Sequence, residues 1–88
     1  MKITLSYFAQ IRLQAGTETE CVSVAEGATV QQALQGVDHG AGFRDMLFDS
    51  SGALRPMILL VVNGLPSDPG CVLREGDQVQ LFSPVSGG

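Results

Sequence analysis

The sequence predicts an α+β domain in which one main amphipathic helix covers one face of a small mixed sheet. Three observations carry that prediction. Apolar and polar residues alternate at both ends of the chain, with Ile3, Leu5 and Tyr7 near the start and Val79 and Leu81 near the end, the period of a strand with one face on a core. Between them, Thr29-Val30-Gln31-Gln32 has the form of a capping box that opens a helix. Met57-Ile58-Leu59-Leu60-Val61-Val62 is a continuous apolar run closed by Asn63-Gly64, the mark of a strand bounded by a turn.

Taken in order, the first strand gives way at Ala9 to a stretch ending in Ala15-Gly16, where broken alternation and a glycine suit a short helical turn or loop. Glu20 to Val24 alternates again, with Val22 and Val24 on one side, and the short connector makes an antiparallel pairing with the first strand economical. The helix opened by Thr29 places Val30, Ala33, Leu34 and Val37 at i, i+3, i+4 and i+7, one stripe able to lie on the sheet. Phe43, Met46 and Leu47 repeat the start of that spacing, which suits a second, short helix carrying Asp45 and Asp49 on a solvated face.

Asp49-Ser50-Ser51-Gly52 reads as a turn. The run from Met57 to Val62 is expected to be a largely buried strand, and Leu65 to Gly70, with two prolines, to be irregular before a short edge element around Val72 and Leu73. Glu75-Gly76-Asp77 marks a turn into the last strand, Gln78 to Phe82, in which Phe82 points away from the core-facing Val79 and Leu81. Hairpin, helix and further strands in this order fit the β-grasp plan, with the first and last strands side by side in mid-sheet. Residues 1–83 form the domain. Pro84 cannot donate a ladder hydrogen bond, so residues 84–88 form a flexible tail, and from Ser83 to Gly88 the chain can project by up to about 20 Å at roughly 3.3 Å per extended residue.

Composition narrows the function. Nine acidic residues against five basic ones give a net charge of −4, which disfavours nucleic acid and anionic membrane surfaces as partners. No apolar stretch approaches the roughly 20 residues of a membrane span, and no signal-peptide pattern opens the chain, so a cytoplasmic location is expected. Cys21 and Cys71 lie far apart without a second ligand at metal spacing and read as small, buried or half-buried thiols rather than a zinc or redox site. His39, the one histidine, sits among glycines and reads as a surface-loop residue. No phosphate-binding glycine loop or dinucleotide fingerprint occurs. No bound cofactor is expected, and any ATP chemistry falls to a partner.

The chemistry concentrates in Gly87-Gly88. Two residues without Cβ atoms make a thread slim enough to carry a carboxylate into a narrow channel of another protein. Together, Tyr7-Phe8-Ala9-Gln10-Ile11-Arg12-Leu13-Gln14-Ala15-Gly16, Val62-Asn63-Gly64, Leu73-Arg74-Glu75-Gly76-Asp77-Gln78-Val79 and Phe82-Ser83-Pro84-Val85-Ser86-Gly87-Gly88 resemble the MoaD family. These are ubiquitin-like sulfur carriers related to ThiS that form the small subunit of molybdopterin synthase. The chain departs from the family in having Ser83-Pro84 where Pro-Pro is common and Tyr7-Phe8 in place of another aromatic pair. Its stretch from Asp38 to Pro56 is longer than in the compact thiazole-pathway carriers, which favours MoaD.

The resemblance implies that Gly88, with Gly87 behind it, is adenylated by a MoeB-like, E1-like enzyme using ATP. A sulfur donor such as a desulfurase or rhodanese then converts it to a thiocarboxylate, and the sulfur is delivered in the MoaE-like large subunit of molybdopterin synthase for molybdenum cofactor biosynthesis. The carrier is a cosubstrate rather than an enzyme. Phe82 and Phe8, with Pro84, Val85 and Leu65, are the expected partner-binding residues. A covalent protein modifier, or a carrier for thiazole or cysteine synthesis, uses the same activation chemistry and stands as the alternative.

Overall fold

A computed structural model describes residues 1–83. The expected tail, 84–88, and the expected end of strand pairing at Pro84 lie outside the described residues. In chain order the elements are β1 (Lys2–Tyr7), α1 (Ala9–Ala15), β2 (Thr19–Ser23), α2 (Val30–Gln35), α3 (Ala41–Leu47), β3 (Leu59–Val62), β4 (Leu65–Ser67) and β5 (Gln78–Phe82). The strands form one sheet in the order β2-β1-β5-β3-β4. β1 and β5 run parallel at its centre, with Tyr7 opposite Leu81, and every other pairing is antiparallel.

Alternation does what it predicts in β1 and β5. Ile3, Leu5, Tyr7, Val79 and Leu81 are buried on the helix-covered face, where burying an aliphatic side chain contributes roughly 1.5–3 kcal/mol. Val30, Ala33 and Leu34 of α2 and Phe43 and Leu47 of α3 close the core from the other side, with Val37 and Met46 at its margin. The capping box forms as read: the Gln32 amide donates to Thr29 Oγ1 at 3.2 Å and the Thr29 amide donates to Gln32 Oε1 at 2.9 Å. Thr29→Ala is expected to lower stability by about 1 kcal/mol. In urea unfolding the midpoint falls while the m-value stays constant.

The structure corrects several expectations. Residues 9–15 form a helix, α1, because Ile11 and Ala15 bury one side of it and Gly16 at φ 77° ends it, donating its amide to Arg12 O at 2.9 Å. The short edge element is β4, which forms a hairpin with β3 across Asn63-Gly64, both at positive φ, the two-residue turn that such a dipeptide favours. Val72 makes only an isolated bridge to Thr29. Asp49 lies beyond α3 and caps its own turn, accepting from the amide and hydroxyl of Ser51, which holds its carboxyl below the usual range. Cys21 is exposed, and Cys71 is half-buried as expected.

His39 is no free surface-loop residue. Its Nε2 lies 2.5 Å from Glu20 Oε2, the oxygen that also accepts the Tyr7 hydroxyl at 2.5 Å, and its ring packs edge-on against Phe43 and Tyr7. The cluster ties the loop after α2 to β1 and β2. Burial pushes the Tyr7 hydroxyl well above its ordinary ionisation range, and the hydrogen bond and charge of Glu20 add to the effect. A tyrosine kept protonated by the fold stabilises it fully below the unfolded value of about pH 10, and that contribution is lost as pH rises toward the folded value. Tyr7→Phe is therefore expected to flatten the alkaline limb of the stability curve, while costing about 1 kcal/mol at neutral pH through the lost hydrogen bond. Because Tyr7 is the only tyrosine, tyrosinate absorbance in the wild type tracks the same transition directly.

Candidate functional site

Helices cover one face of the sheet, so the alternate residues of the central strands form an open face. Phe82, the last residue of β5, stands on it. On β1 the ladder runs one residue past Tyr7, where the Phe8 amide donates to Leu81 O at 3.2 Å. Phe8 is therefore extended, at φ −127° and ψ 151°, and its ring emerges beside Phe82. The two rings stack with centroids 4.5 Å apart and planes 11° from parallel. The chain then turns through Ala9 at φ 55°, a left-handed conformation that costs a non-glycine residue roughly 1–2 kcal/mol. The parallel ladder on one side and α1 on the other hold that turn in place.

Phe8 is not a core residue; it is 36% exposed. Next to the pair, Leu59 lies directly opposite Phe82 across the β3–β5 ladder, and Val61 and Pro66 continue the row outward through their own pairing. The outcome is an apolar stripe from β1 to the β4 edge at the end of the sheet where β5 leads toward Gly88. A depression of about 420 Å³, lined in part by Pro56, Leu59, Val61, Pro66 and Pro69, opens along its outer half. The other half of the open face is polar, with Thr4, Ser6, Gln78 and Gln80.

Leu59 and Val61 were missed by the expectation that the run from Met57 to Val62 is largely buried. Ile58 and Leu60 are buried, whereas Leu59 is 61% exposed. The signal was the fold itself, because a sheet with helices on only one face leaves one side of every strand open. Leu65 is exposed as expected but does not join the patch. It pairs with Val62 across the Asn63-Gly64 turn, so it lies at the edge of the helix-covered side. Pro84, Val85, Gly87 and Gly88 lie outside the described residues. The Asn63 side chain steadies the start of β5, donating to Asp77 Oδ1 at 2.8 Å and accepting from the Gln78 amide at 2.9 Å.

Among the described residues no group of three His, Cys, Asp or Glu side chains is placed to hold a metal ion, and no helix is long and apolar enough to cross a membrane. What the site offers is a flat apolar surface with an aromatic pair at its centre, the character of a protein-binding face.

Comparison with known proteins agrees with that character. The profile of the ThiS family matches residues 5–88, a span that includes both Phe8 and Gly88. Small archaeal modifier protein 1 of Haloferax volcanii is 35% identical over 82 residues, covering 92% of this chain and 94% of that protein. The crystal structure of SAMP1 from the same organism superposes with a TM-score of 0.87 at 32% identity, covering all of both chains. A Pyrococcus furiosus structure provisionally described as molybdopterin converting factor, subunit 1, has a TM-score of 0.76 at 28% identity and covers 97% of this chain and 99% of that one.

Proposed function

This chain belongs to the ThiS family of ubiquitin-like sulfur carriers and modifiers, and from that membership we propose that it is the small, MoaD-like subunit of a molybdopterin synthase. In this reading an E1-like enzyme transfers AMP from ATP to the Gly88 carboxylate, releasing pyrophosphate. A sulfur donor then displaces AMP to leave a thiocarboxylate. Activation is required because a carboxylate is a poor electrophile, whereas the acyl-adenylate has a good leaving group. The sulfur of the thiocarboxylate is in turn a nucleophile at neutral pH, delivered to a pterin precursor inside the large subunit. Catalytic groups belong to the partners, and this chain supplies the sulfur-bearing end and the surface that positions it.

The observation that carries the proposal is the Phe8–Phe82 stack on the open face of the sheet, at the end of the strand that leads into Gly87-Gly88. A partner that grips this pair holds the chain a short, set number of residues before Gly88. The similarity to the Pyrococcus furiosus protein provisionally described as molybdopterin converting factor, subunit 1, supports the choice of acceptor. The 35% identity to a protein named as a modifier favours a second reading, in which Gly88 is joined to lysines of other proteins after the same adenylation.

Intact-mass analysis of the protein from its native host separates the two. A carrier shows exchange of one oxygen for sulfur at Gly88, and the thiocarboxylated form supports dithiolene formation when mixed with the large synthase subunit and precursor. A modifier shows isopeptide adducts on other proteins. Absence of the sulfur exchange, with adducts present, overturns the synthase reading.

A further inference from the structure

The opposite edge of the sheet carries a second surface, and we propose that the groove between β2 and α2 docks an extended, alternating apolar segment with basic flanks from a partner protein, which adds to the sheet beside β2. β2 is an edge strand with one neighbour, β1. Met1 and Val24 exchange both backbone hydrogen bonds at 2.8 Å, and the Tyr7 amide donates to Glu18 O at 2.8 Å. With the antiparallel register of β1 and β2, that parity turns the backbone groups of Glu20, Val22 and Val24 toward β1. Those of Cys21 and Ser23 face outward, with no partner among the described residues. They offer the donors and acceptors that an added strand needs.

Beside this edge runs a groove of about 800 Å³. Its floor is apolar: Val22 and Val24 from the helix side of β2, and Ala33 and Val37 from α2 and the turn after it. Alternate side chains of an added strand would fall onto this floor. Gly36 lines the groove and keeps it open, because no side chain stands there.

Charge selects the occupant. Three carboxylates line the groove, those of Glu20, Glu26 and Asp38, and no lysine or arginine does. Glu20 is engaged by Tyr7 and His39, which leaves Glu26 beyond one end of β2 and Asp38, beside His39, near the other. Arg44 lies 3.9 Å from Asp38, but both side chains are exposed, so that pair competes weakly. Basic residues flanking an apolar core therefore complement the two ends of the groove. The groove opens on the helix side of the β2 edge and the Phe8–Phe82 patch lies on the open face, so one partner can hold the groove while another holds the patch. This goes beyond the sulfur-carrier reading and does not depend on it.

The test is a nitrogen-15 NMR titration of the full-length protein with the probe peptide acetyl-Lys-Thr-Val-Thr-Val-Thr-Lys-amide, in which the lysines and valines share one face of an extended strand. Saturable shifts are expected at the amides of Cys21, Ser23, Gly36 and Val37. Affinity is expected to fall by about tenfold or more in Gly36→Leu, and likewise in Glu26→Lys or when glutamates replace the peptide lysines. Gly36→Leu is compatible with the fold, since a Cβ there meets only Ala33 O at 3.6 Å and Gln32 O at 3.8 Å and φ is −82°. Glu26 is exposed, so its charge can be reversed without disturbing the core. The proposal is overturned by the absence of saturable shifts, by shifts centred on Phe8, Leu59 and Phe82, or by equal binding of the glutamate-flanked peptide. Concentration-dependent shifts of the same amides without peptide would assign the edge to contact between copies of this chain instead.

Discussion

Deleting Gly88, or adding one residue after it, is expected to reduce adenylation by the cognate E1-like enzyme by about 100-fold or more, with stability unchanged. In the proposed function the reacting carboxyl must meet the α-phosphate of ATP in the activating site, and a misplacement of about 1 Å already costs on the order of 100-fold. Removing or adding one residue shifts the carboxyl by up to roughly 3.3 Å along an extended chain. Gly87→Ala is the milder companion: it keeps the length and adds one methyl group to the thread, so its loss reports the width of the channel. ATP–pyrophosphate exchange measures activation directly, and thermal unfolding provides the control, because the core cluster is built from residues between Ile3 and Leu81. Exchange that continues at the wild-type rate in the deletion and the extension would remove Gly88 from the chemistry.

The sequence revealed the parts of the fold in which neighbouring residues carry the signal. Ile3, Leu5 and Tyr7 alternate against polar residues, and Thr29 and Gln32 cap one turn of helix, so each could be read within a few positions. α1 was harder, because Ile11 and Ala15 are its only buried residues and two positions define no clear stripe. In Met57 to Val62 both sides of the strand are apolar, so periodicity cannot tell the buried Leu60 from the exposed Leu59. The distinction comes from the sheet, which has helices on one side only. His39 was misread for a related reason: its partner Glu20 is 19 positions away, and nothing within the local sequence announces the contact. For the site the balance is reversed. Gly87 and Gly88 are proposed as the reacting end from the sequence alone, whereas the stacking of Phe8 on Phe82 depends on the parallel β1–β5 pairing of strands from the two ends of the chain.

That stacking underlies the second large effect. Phe82→Ala is expected to weaken binding to the activating enzyme, or to the large synthase subunit, by roughly 10- to 100-fold, the loss of about 1.5–3 kcal/mol typical of an aromatic anchor. Its cost to stability should be smaller, since Phe82 is half-buried and an aromatic stack contributes about 0.5–1.5 kcal/mol beyond its burial. Leu81→Ala, one position earlier and fully buried, reverses the balance, lowering stability by about 2–5 kcal/mol through lost burial and a cavity. Phe8→Ala should resemble Phe82→Ala, but the double variant should lose less than the sum, because each single change already breaks the same stack. Leu65→Ala is expected to leave this binding unchanged: its register with Val62 puts it on the other side of the sheet. Calorimetric titration beside thermal unfolding resolves these cases. Unchanged affinity in Phe82→Ala with a large drop in melting temperature would make the aromatic pair part of the scaffold and leave the partner's grip to be found elsewhere on the sheet.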